Sequence, residues 1–231
     1  MRFRKLIIAH RGDRSRAHEN TLEAFRLAIE GGADMIELDV RRTADGELLV
    51  YHDEAFNHLV LAKNDHREVL GFAATLGVEI PRFAEVLEMT SGRILLDVEL
   101  KEAGYENSVL SMMFDHHFRV EDFIVTSFNV GALRHVREEC SGIQNGLLVE
   151  NMSSADAIRL FQEVAPDYLA PDHELLDKQM LSDAADLKVR LIPWTVNQDD
   201  RLGDLLGAQA VFGLITDRPL EALRIRSSME K

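Results

Sequence analysis

The stretch IELDVRRTADGELLVYHDE, residues 36–54, begins as a β-strand in which alternate side chains are acidic. Successive side chains of a strand point to opposite faces, so Ile36 and Leu38 share one face and Glu37 and Asp39 share the other. An apolar face packs against helices, and the acidic face must then point away from them. In a parallel barrel, inward side chains at the carboxyl end of a strand reach the mouth.

Strand-like and helix-like segments alternate along the whole chain, as in parallel sheets with crossover helices. Strands are predicted at 5–10, 35–40, 93–100, 123–128, 145–150, 167–172, 190–196 and 211–217. Helices are predicted at 21–32, 83–91, 105–117, 130–140, 154–164, 173–187, 199–207 and 219–228. Eight such units in 231 residues favour a (β/α)₈ TIM barrel, an α/β fold, over an open doubly wound sheet.

The second unit departs from this pattern. The sequence TADG at 43–46 predicts a turn between two extended runs, which would form a hairpin arm. Residues 55–80 show no clear period and are expected to form a loop. We therefore predict a single barrel domain at 1–231 with a short insertion at about 43–80.

The composition restricts the function. Forty acidic and 26 basic residues give a net charge of −14, which argues against nucleic acid and anionic membranes as partners. An anionic substrate would then need a local cationic site. The single cysteine cannot form an intrachain disulfide, and no apolar run is long enough for a signal sequence or a membrane span. We expect a cytoplasmic protein, and homo-oligomers remain open.

A second acidic strand follows in RILLDVELK, where Asp97, Glu99 and Lys101 share the inward face. Strands 2 and 3 are neighbours in a barrel, so these acids would converge with Glu37 and Asp39. Carboxylate oxygens favour Mg²⁺, Ca²⁺ or Mn²⁺ over zinc. The alternative is a structural ion-pair network with cations such as Arg41, Arg42 and Lys101. Glu99 on the neighbouring strand favours the metal.

Two histidines are expected at the same mouth. His10 ends strand 1 and is followed by Arg11, while His52 precedes Asp53 after the hairpin arm. Histidines near a metal can act as general base and general acid, and Arg11 and Lys101 can contact phosphate oxygens. This combination of groups is typical of a phosphodiester site.

The segment HENTLEAF, residues 18–25, predicts a helix start. Asn20 is expected as the N-cap, with Glu23 three residues later as in a capping box. Glu19, immediately before this cap, could face the site.

These residues fall into segments through which nearly the whole chain resembles the glycerophosphodiester phosphodiesterases. The segments are AHRGD (9–13), the block from Glu19 to Glu54, IPRFAEVLE (80–88), DVELK (97–101), SFN (127–129), PWTVN (193–197) and GLITDRP (213–219). The block from His10 to Asp53 is highly specific. The resemblance implies a (β/α)₈ barrel that hydrolyses glycerophosphodiesters to glycerol 3-phosphate and an alcohol, with one divalent cation, usually Mg²⁺ or Ca²⁺.

The resemblance also implies residue roles. The metal ligands would be Glu37, Asp39 and Glu99; the acid-base pair His10 and His52; and the phosphate and substrate contacts Arg11, Lys101, Glu19, Phe128 and Trp194. The alternatives are a lyase that stops at a cyclic phosphate and a metal-binding barrel with a regulatory role. Two departures from the family pattern are His18, where proline is common, and the short span of 46 residues between His52 and Glu99.

Overall fold

Strands and helices alternate in the computed structural model, which describes residues 4–229. The strands are β1 (Leu6–His10), β2 (Met35–Arg42), β3 (Leu48–Val50), β4 (Ala55–Phe56), β5 (Leu59–Val60), β6 (Leu95–Leu100), β7 (Phe123–Ser127), β8 (Gln144–Val149), β9 (Tyr168–Pro171) and β10 (Gly213–Thr216). The α-helices are α1 (Leu22–Gly31), α2 (His66–Thr75), α3 (Phe83–Thr90), α4 (Glu106–Asp115), α5 (Val130–Glu139), α6 (Ser154–Val164), α7 (Lys178–Asp186), α8 (Asp199–Gly207) and α9 (Pro219–Met229). The ends of the predicted domain, residues 1–3 and 230–231, lie outside the described residues.

Parallel strands surround the centre of the fold in the order β10, β1, β2, β6, β7, β8 and β9. The predicted strand at 190–196 closes the ring as a less regular segment. Its Leu191 forms parallel bridges to Leu169 in β9 and to Val211 just before β10. Pro193 has no N–H to donate, but its carbonyl accepts a hydrogen bond from Ile215 N at 2.9 Å. The predicted barrel is confirmed.

The inside of the barrel changes from apolar to acidic along β2 and β6. Near the amino ends, Met35 and Ile8 belong to a buried apolar cluster with residues of β7 to β10. Two and four positions after Met35, the same face of β2 carries Glu37 and Asp39. The opposite face, which includes Leu38, packs in a separate core with residues of the helices. This alternation puts the carboxylates at the barrel mouth.

The start of α1 differs from the prediction. Thr21, not Asn20, is the N-cap, and its side-chain oxygen accepts a hydrogen bond from Ala24 N at 3.2 Å. Glu23 does not complete a capping box, because it is exposed and bonds with Arg26. Asn20 has a left-handed backbone with φ 54°, and its side chain points into the barrel mouth instead.

The insertion is partly as predicted. TADG at 43–46 does form the turn between β2 and β3, which pair antiparallel. The expectation of a loop over 55–80 is wrong, because this segment contains the β4–β5 hairpin and α2. Only Val69 and Ala73 of α2 are fully buried, so the helix presents too narrow an apolar stripe for its period to show.

The helix predicted at 173–187 is interrupted. A 3₁₀ turn covers His173–Leu175, and α7 begins only after Asp177, whose side chain caps it by accepting from Met180 N at 2.7 Å. None of the helices among residues 4–229 is long and apolar enough to cross a membrane.

Candidate active site

Three acidic side chains meet at the carboxyl ends of β2 and β6. The parallel register of these strands sets Asp39 beside Glu99 and Glu37 beside Asp97. Carboxylate oxygens of Glu37, Asp39 and Glu99 lie within 4.8 Å of one another, and all three residues are buried. Asp97 is also buried, and it accepts a hydrogen bond from Thr126 Oγ1 at 2.6 Å. The two strands therefore bring together Glu37, Asp39 and Glu99, here called the acidic group, although Glu99 lies about 60 positions after the other two in the chain.

Two cations contact this acidic group. Lys101 Nζ lies 2.6 Å from Glu99 Oε1 and 3.2 Å from Asp39 Oδ1. Arg11 Nε lies 3.0 Å from Asp39 Oδ2, and the Arg11 backbone N–H donates to Glu37 Oε2 at 2.9 Å. Part of the ion-pair network considered from the sequence is therefore present, formed by Lys101 together with Arg11.

Arg41 and Arg42, the other cations considered for such a network, face elsewhere. Arg41 Nε donates to the backbone carbonyl of His52 at 2.7 Å, and its guanidinium pairs with Glu102. Arg42 donates to the carbonyl of Gly104 at 2.7 Å. These arginines hold the surrounding loops, and neither forms an ion pair with Glu37, Asp39 or Glu99.

The pKa values of the acids diverge. Burial, and next the charge of Asp39, raises the pKa of Glu99 to about 7, and burial raises the pKa of Glu37 well above its ordinary value. Burial also acts on Asp39, but the charges of Arg11 and Lys101 outweigh it and lower its pKa to about 2. Arg11 and Lys101 thus keep Asp39 ionised, but they do not supply enough positive charge to keep Glu37 and Glu99 ionised as well.

The donor atoms fit a divalent cation. Asp39 Oδ1 and Glu99 Oε1 are buried and accept no well-directed hydrogen bond, although Lys101 Nζ lies at ion-pair distance from both. With Glu37, they form a set of carboxylate oxygens, the donors that Mg²⁺ and Ca²⁺ prefer. Three buried carboxylates are costly without added positive charge, and a divalent cation would supply it.

His10, at the end of β1, is held by a carboxylate from the other end of the chain. Its Nδ1 lies 2.7 Å from Asp217 Oδ1, and its Nε2 lies 4.0 Å from Glu37 Oε2. Burial lowers the pKa of His10, against the raising effect of the Asp217 hydrogen bond. Burial would raise the pKa of Asp217, but the bond to His10 helps to lower it to about 2. Asp217 therefore stays ionised and accepts the Nδ1 proton, which leaves Nε2 free to react.

His52 is held in a similar way by its neighbour. Its Nδ1 lies 2.7 Å from Asp53 Oδ1, and its side chain is 37% exposed. The two histidines thus come from different segments, one largely covered at a strand end and one at the open edge of the mouth, but each has a carboxylate at Nδ1.

A cavity of about 360 Å³ joins these groups. Of the residues predicted for the site, it is lined by His10, Arg11, Glu37, His52, Glu99, Lys101, Phe128 and Trp194. Asp39 lies beneath this surface and is fully buried. Glu19 does not line the cavity, and it approaches the site through Arg11, whose Nη1 donates to Glu19 Oε1 at 2.8 Å. The predicted residues therefore gather in one pocket, with Asp39 and Glu19 behind its wall.

A sequence profile of the glycerophosphoryl diester phosphodiesterase family matches residues 10–221, which include both histidines and all three acids. The chain belongs to this family. The recognition made from the sequence, a hydrolase of the glycerophosphodiester phosphodiesterase family, is confirmed. The match extends from the last residue of β1 into α9, and so it covers all the later strands of the barrel.

Known members of the phosphodiesterase family align over nearly the full chain. A glycerophosphodiester phosphodiesterase of Bacillus altitudinis is 32% identical over 246 residues, covering 97% of this chain and 99% of that protein. One from Caldanaerobacter subterraneus subsp. tengcongensis is 30% identical over 235 residues, covering 94% and 96%. The solved structure of an Oleispira antarctica phosphodiesterase in complex with the product sn-glycerol-3-phosphate superposes with a TM-score of 0.83 at 24% identity, covering 99% and 98%.

Several polar residues around this phosphodiesterase-family pocket were not predicted as site residues. Asp217 anchors His10, and Asn197 Nδ2 donates to Asp217 Oδ2 at 2.8 Å. Asn20 Nδ2 donates to Asp39 Oδ2 at 2.8 Å. Glu150 also lines the cavity. The signals available were the Asp in GLITDRP, the Asn in PWTVN, and the acidic residue that ends NGLLVE.

Proposed function

We propose that this chain hydrolyses glycerophosphodiesters to glycerol 3-phosphate and an alcohol. The observation that carries the proposal is that His10 and His52, each anchored at Nδ1 by a carboxylate, line one cavity with Glu37, Glu99 and the two cations. Phosphodiester cleavage needs charge stabilisation on the phosphoryl oxygens and two proton transfers. Family membership and the product bound to the Oleispira antarctica phosphodiesterase support the same reaction.

In this proposal Glu37, Asp39 and Glu99 hold one divalent cation, Mg²⁺ or Ca²⁺, with Mn²⁺ as a further possibility. When bound, such a cation withdraws electron density from the phosphoryl oxygens and neutralises the acidic group. Arg11 and Lys101, whose side chains also line the cavity, bind the non-bridging phosphate oxygens. Phe128 and Trp194 contact the carbon portions of the substrate.

The two histidines carry the protons. One takes a proton from the attacking hydroxyl group as its oxygen bonds to phosphorus, and the other gives a proton to the leaving alkoxide as its bond to phosphorus breaks. The nucleophile is either the substrate's own 2-hydroxyl, which gives a cyclic phosphate that water then opens, or water directly. Because Nδ1 of His10 and of His52 faces a carboxylate, both transfers use Nε2.

Replacing each histidine tests this function. We expect His10→Ala and His52→Ala each to lower kcat for glycerol 3-phosphate release by about two to four orders of magnitude, the usual contribution of acid-base catalysis. The assay uses a panel of glycerophosphodiesters after chelation and re-addition of each metal. His135→Ala, on the outer helix α5, is the control and should keep wild-type turnover. Near wild-type turnover in both site variants would refute the assignment.

Phosphorus NMR of the products separates the proposed hydrolase from the alternatives. A phosphomonoester as the accumulating product supports hydrolysis. A cyclic phosphate as the end product would show the lyase reaction, and metal binding without turnover of any diester would show the regulatory role.

A further inference from the structure

The cavity has two chemically different sides. The acidic group and Lys101 come from β2, β6 and the residue after it. The remaining wall comes from later parts of the barrel: Phe128 follows β7, Glu150 follows β8, and Trp194 lies in the closing segment 190–196. In the order of the strands, β2 and β6 are followed by β7, β8 and β9. A substrate whose phosphate sits at the acidic group therefore extends one substituent toward this second wall.

Aromatic rings form much of this second wall. The rings of Phe128 and Trp194 meet edge to face, with centroids 5.8 Å apart and an angle of 89°. Trp194 Nε1 donates to the carbonyl of Ala170 at 2.8 Å, which fixes the orientation of the indole. Phe128 is 42% exposed, so its ring is available to a ligand. Leu148 and Ile215 add apolar surface.

Glu150 is the acidic residue of this wall. It is exposed, and no described residue forms a hydrogen bond or ion pair with its side chain. Glu99, on the acidic side, has Lys101 Nζ at 2.6 Å. Glu150 therefore presents an uncompensated negative charge on the cavity that Phe128 and Trp194 also line. A carboxylate next to aromatic faces attracts ammonium groups, through the ion pair and through cation–π interaction.

We infer that Glu150, Phe128 and Trp194 form the subsite for the leaving alcohol and that this subsite selects an alcohol bearing a primary or quaternary ammonium group. The inference rests on the proposed function, because it places the phosphate at the acidic group. A cationic alcohol would lie near the carboxylate with its carbon atoms against the rings. A neutral alcohol gains no ionic contact there, so Glu150 discriminates between diesters by the charge of the alcohol alone.

The test compares diesters that share glycerol phosphate and differ in the alcohol: glycerophosphocholine and glycerophosphoethanolamine against glycerophosphoglycerol. We expect Glu150→Gln to lower kcat/KM for the two cationic diesters by about three- to fivefold, the upper range for one exposed ion pair, while the cation–π contact with the rings remains. For glycerophosphoglycerol the change should stay within about twofold, which also shows that the variant is folded. Phe128→Leu keeps the apolar contact but removes the ring, and it should weaken the preference for choline.

The matched control is Glu174→Gln. Glu174 is an exposed acid in the turn after β9 and does not line the cavity, so its loss should affect all three diesters equally and little. An equal fall for every diester in Glu150→Gln would place Glu150 on the glycerol end and overturn the inference, as would no change for any of them. If the wild-type protein hydrolyses none of the three, the proposed function itself fails and the inference fails with it.

Discussion

Replacing Asp217 by Asn changes one atom and tests how His10 is positioned. Asp217 accepts three hydrogen bonds: from His10 Nδ1 at 2.7 Å, from Arg14 Nη1 at 3.0 Å and from Asn197 Nδ2 at 2.8 Å. An asparagine side chain has the same shape but one donor group in place of an acceptor oxygen. In either orientation its NH₂ faces a donor, either Asn197 or the pair of His10 and Arg14.

The expected fall in kcat follows from the hydrogen bond between His10 Nδ1 and Asp217 Oδ1. A hydrogen bond to a charged group contributes about 1.5–3 kcal/mol, so loss of the Asp217 acceptor should lower kcat by about 10- to 150-fold. Asp217 does not line the cavity, so KM should change less than about threefold. Steady-state release of glycerol 3-phosphate measures both constants. The control is Asp199→Asn, since Asp199 is an exposed partner of Arg218 at 2.7 Å and should have little influence on kcat.

The pH profile separates positioning from a loss of folding. The pKa of Asp217 lies at about 2, below its ordinary value, so the stability that it contributes is present above about pH 4 and is lost only as pH falls through 2. Between pH 5 and 9 the wild-type bond to His10 is therefore intact, and the kcat deficit of Asp217→Asn should persist across that range. A kcat within twofold of wild type, or a deficit entirely in KM, would refute the positioning role.

Two further predictions concern the metal site and the barrel. Glu99, with a pKa of about 7, and Glu37, with a pKa raised by burial, must lose protons to coordinate a cation. Affinity for Mg²⁺ or Ca²⁺ should therefore rise as the pH increases toward 7, by up to about tenfold per pH unit for each proton released. Calorimetry in two buffers would count the protons, and a pH-independent affinity would contradict this. Gly12→Ala should lower the free energy of unfolding, measured with denaturant, by about 2–4 kcal/mol, because the new Cβ would lie 2.7 Å from the Ala24 Cβ. Gly46 has a similar φ of 89° but no atom within 4 Å of an added Cβ, so Gly46→Ala should lower it by only about 1 kcal/mol. Equal losses would show that the contact with Ala24 does not matter.

Most of the acidic side of the site could be predicted from local sequence. Strand alternation alone gives the inward direction of Glu37 and Asp39, and the adjacency of parallel strands brings Glu99 to them. The same reasoning located Lys101, because it continues the inward face of β6. These predictions succeed because each depends on the period of one strand and on one neighbour.

The anchoring contacts could not be predicted in this way. His10 and Asp217 are separated by 207 positions in the chain, and they meet only because β10 pairs with β1. Asparagine is a common N-cap residue, but the left-handed backbone of Asn20 turns its side-chain amide toward Asp39. Helix α2 is not evident from the sequence for another reason. Its two buried residues, Val69 and Ala73, pack in a small apolar cluster with Phe56, Leu59 and Leu61 of the insertion. Each case depends on closure of the barrel or on packing that no single segment shows.

Charge balance explains how an acidic chain can accept an anionic diester. The three carboxylates of the acidic group and the two cations that touch them leave one negative charge when all are ionised. A divalent cation in this group would change that balance to one positive charge, which one phosphodiester anion neutralises. Without the cation, the raised pKa values of Glu37 and Glu99 give the same relief by protonation. The overall charge of −14 therefore does not prevent binding, because the field at the barrel mouth is set by these few buried groups.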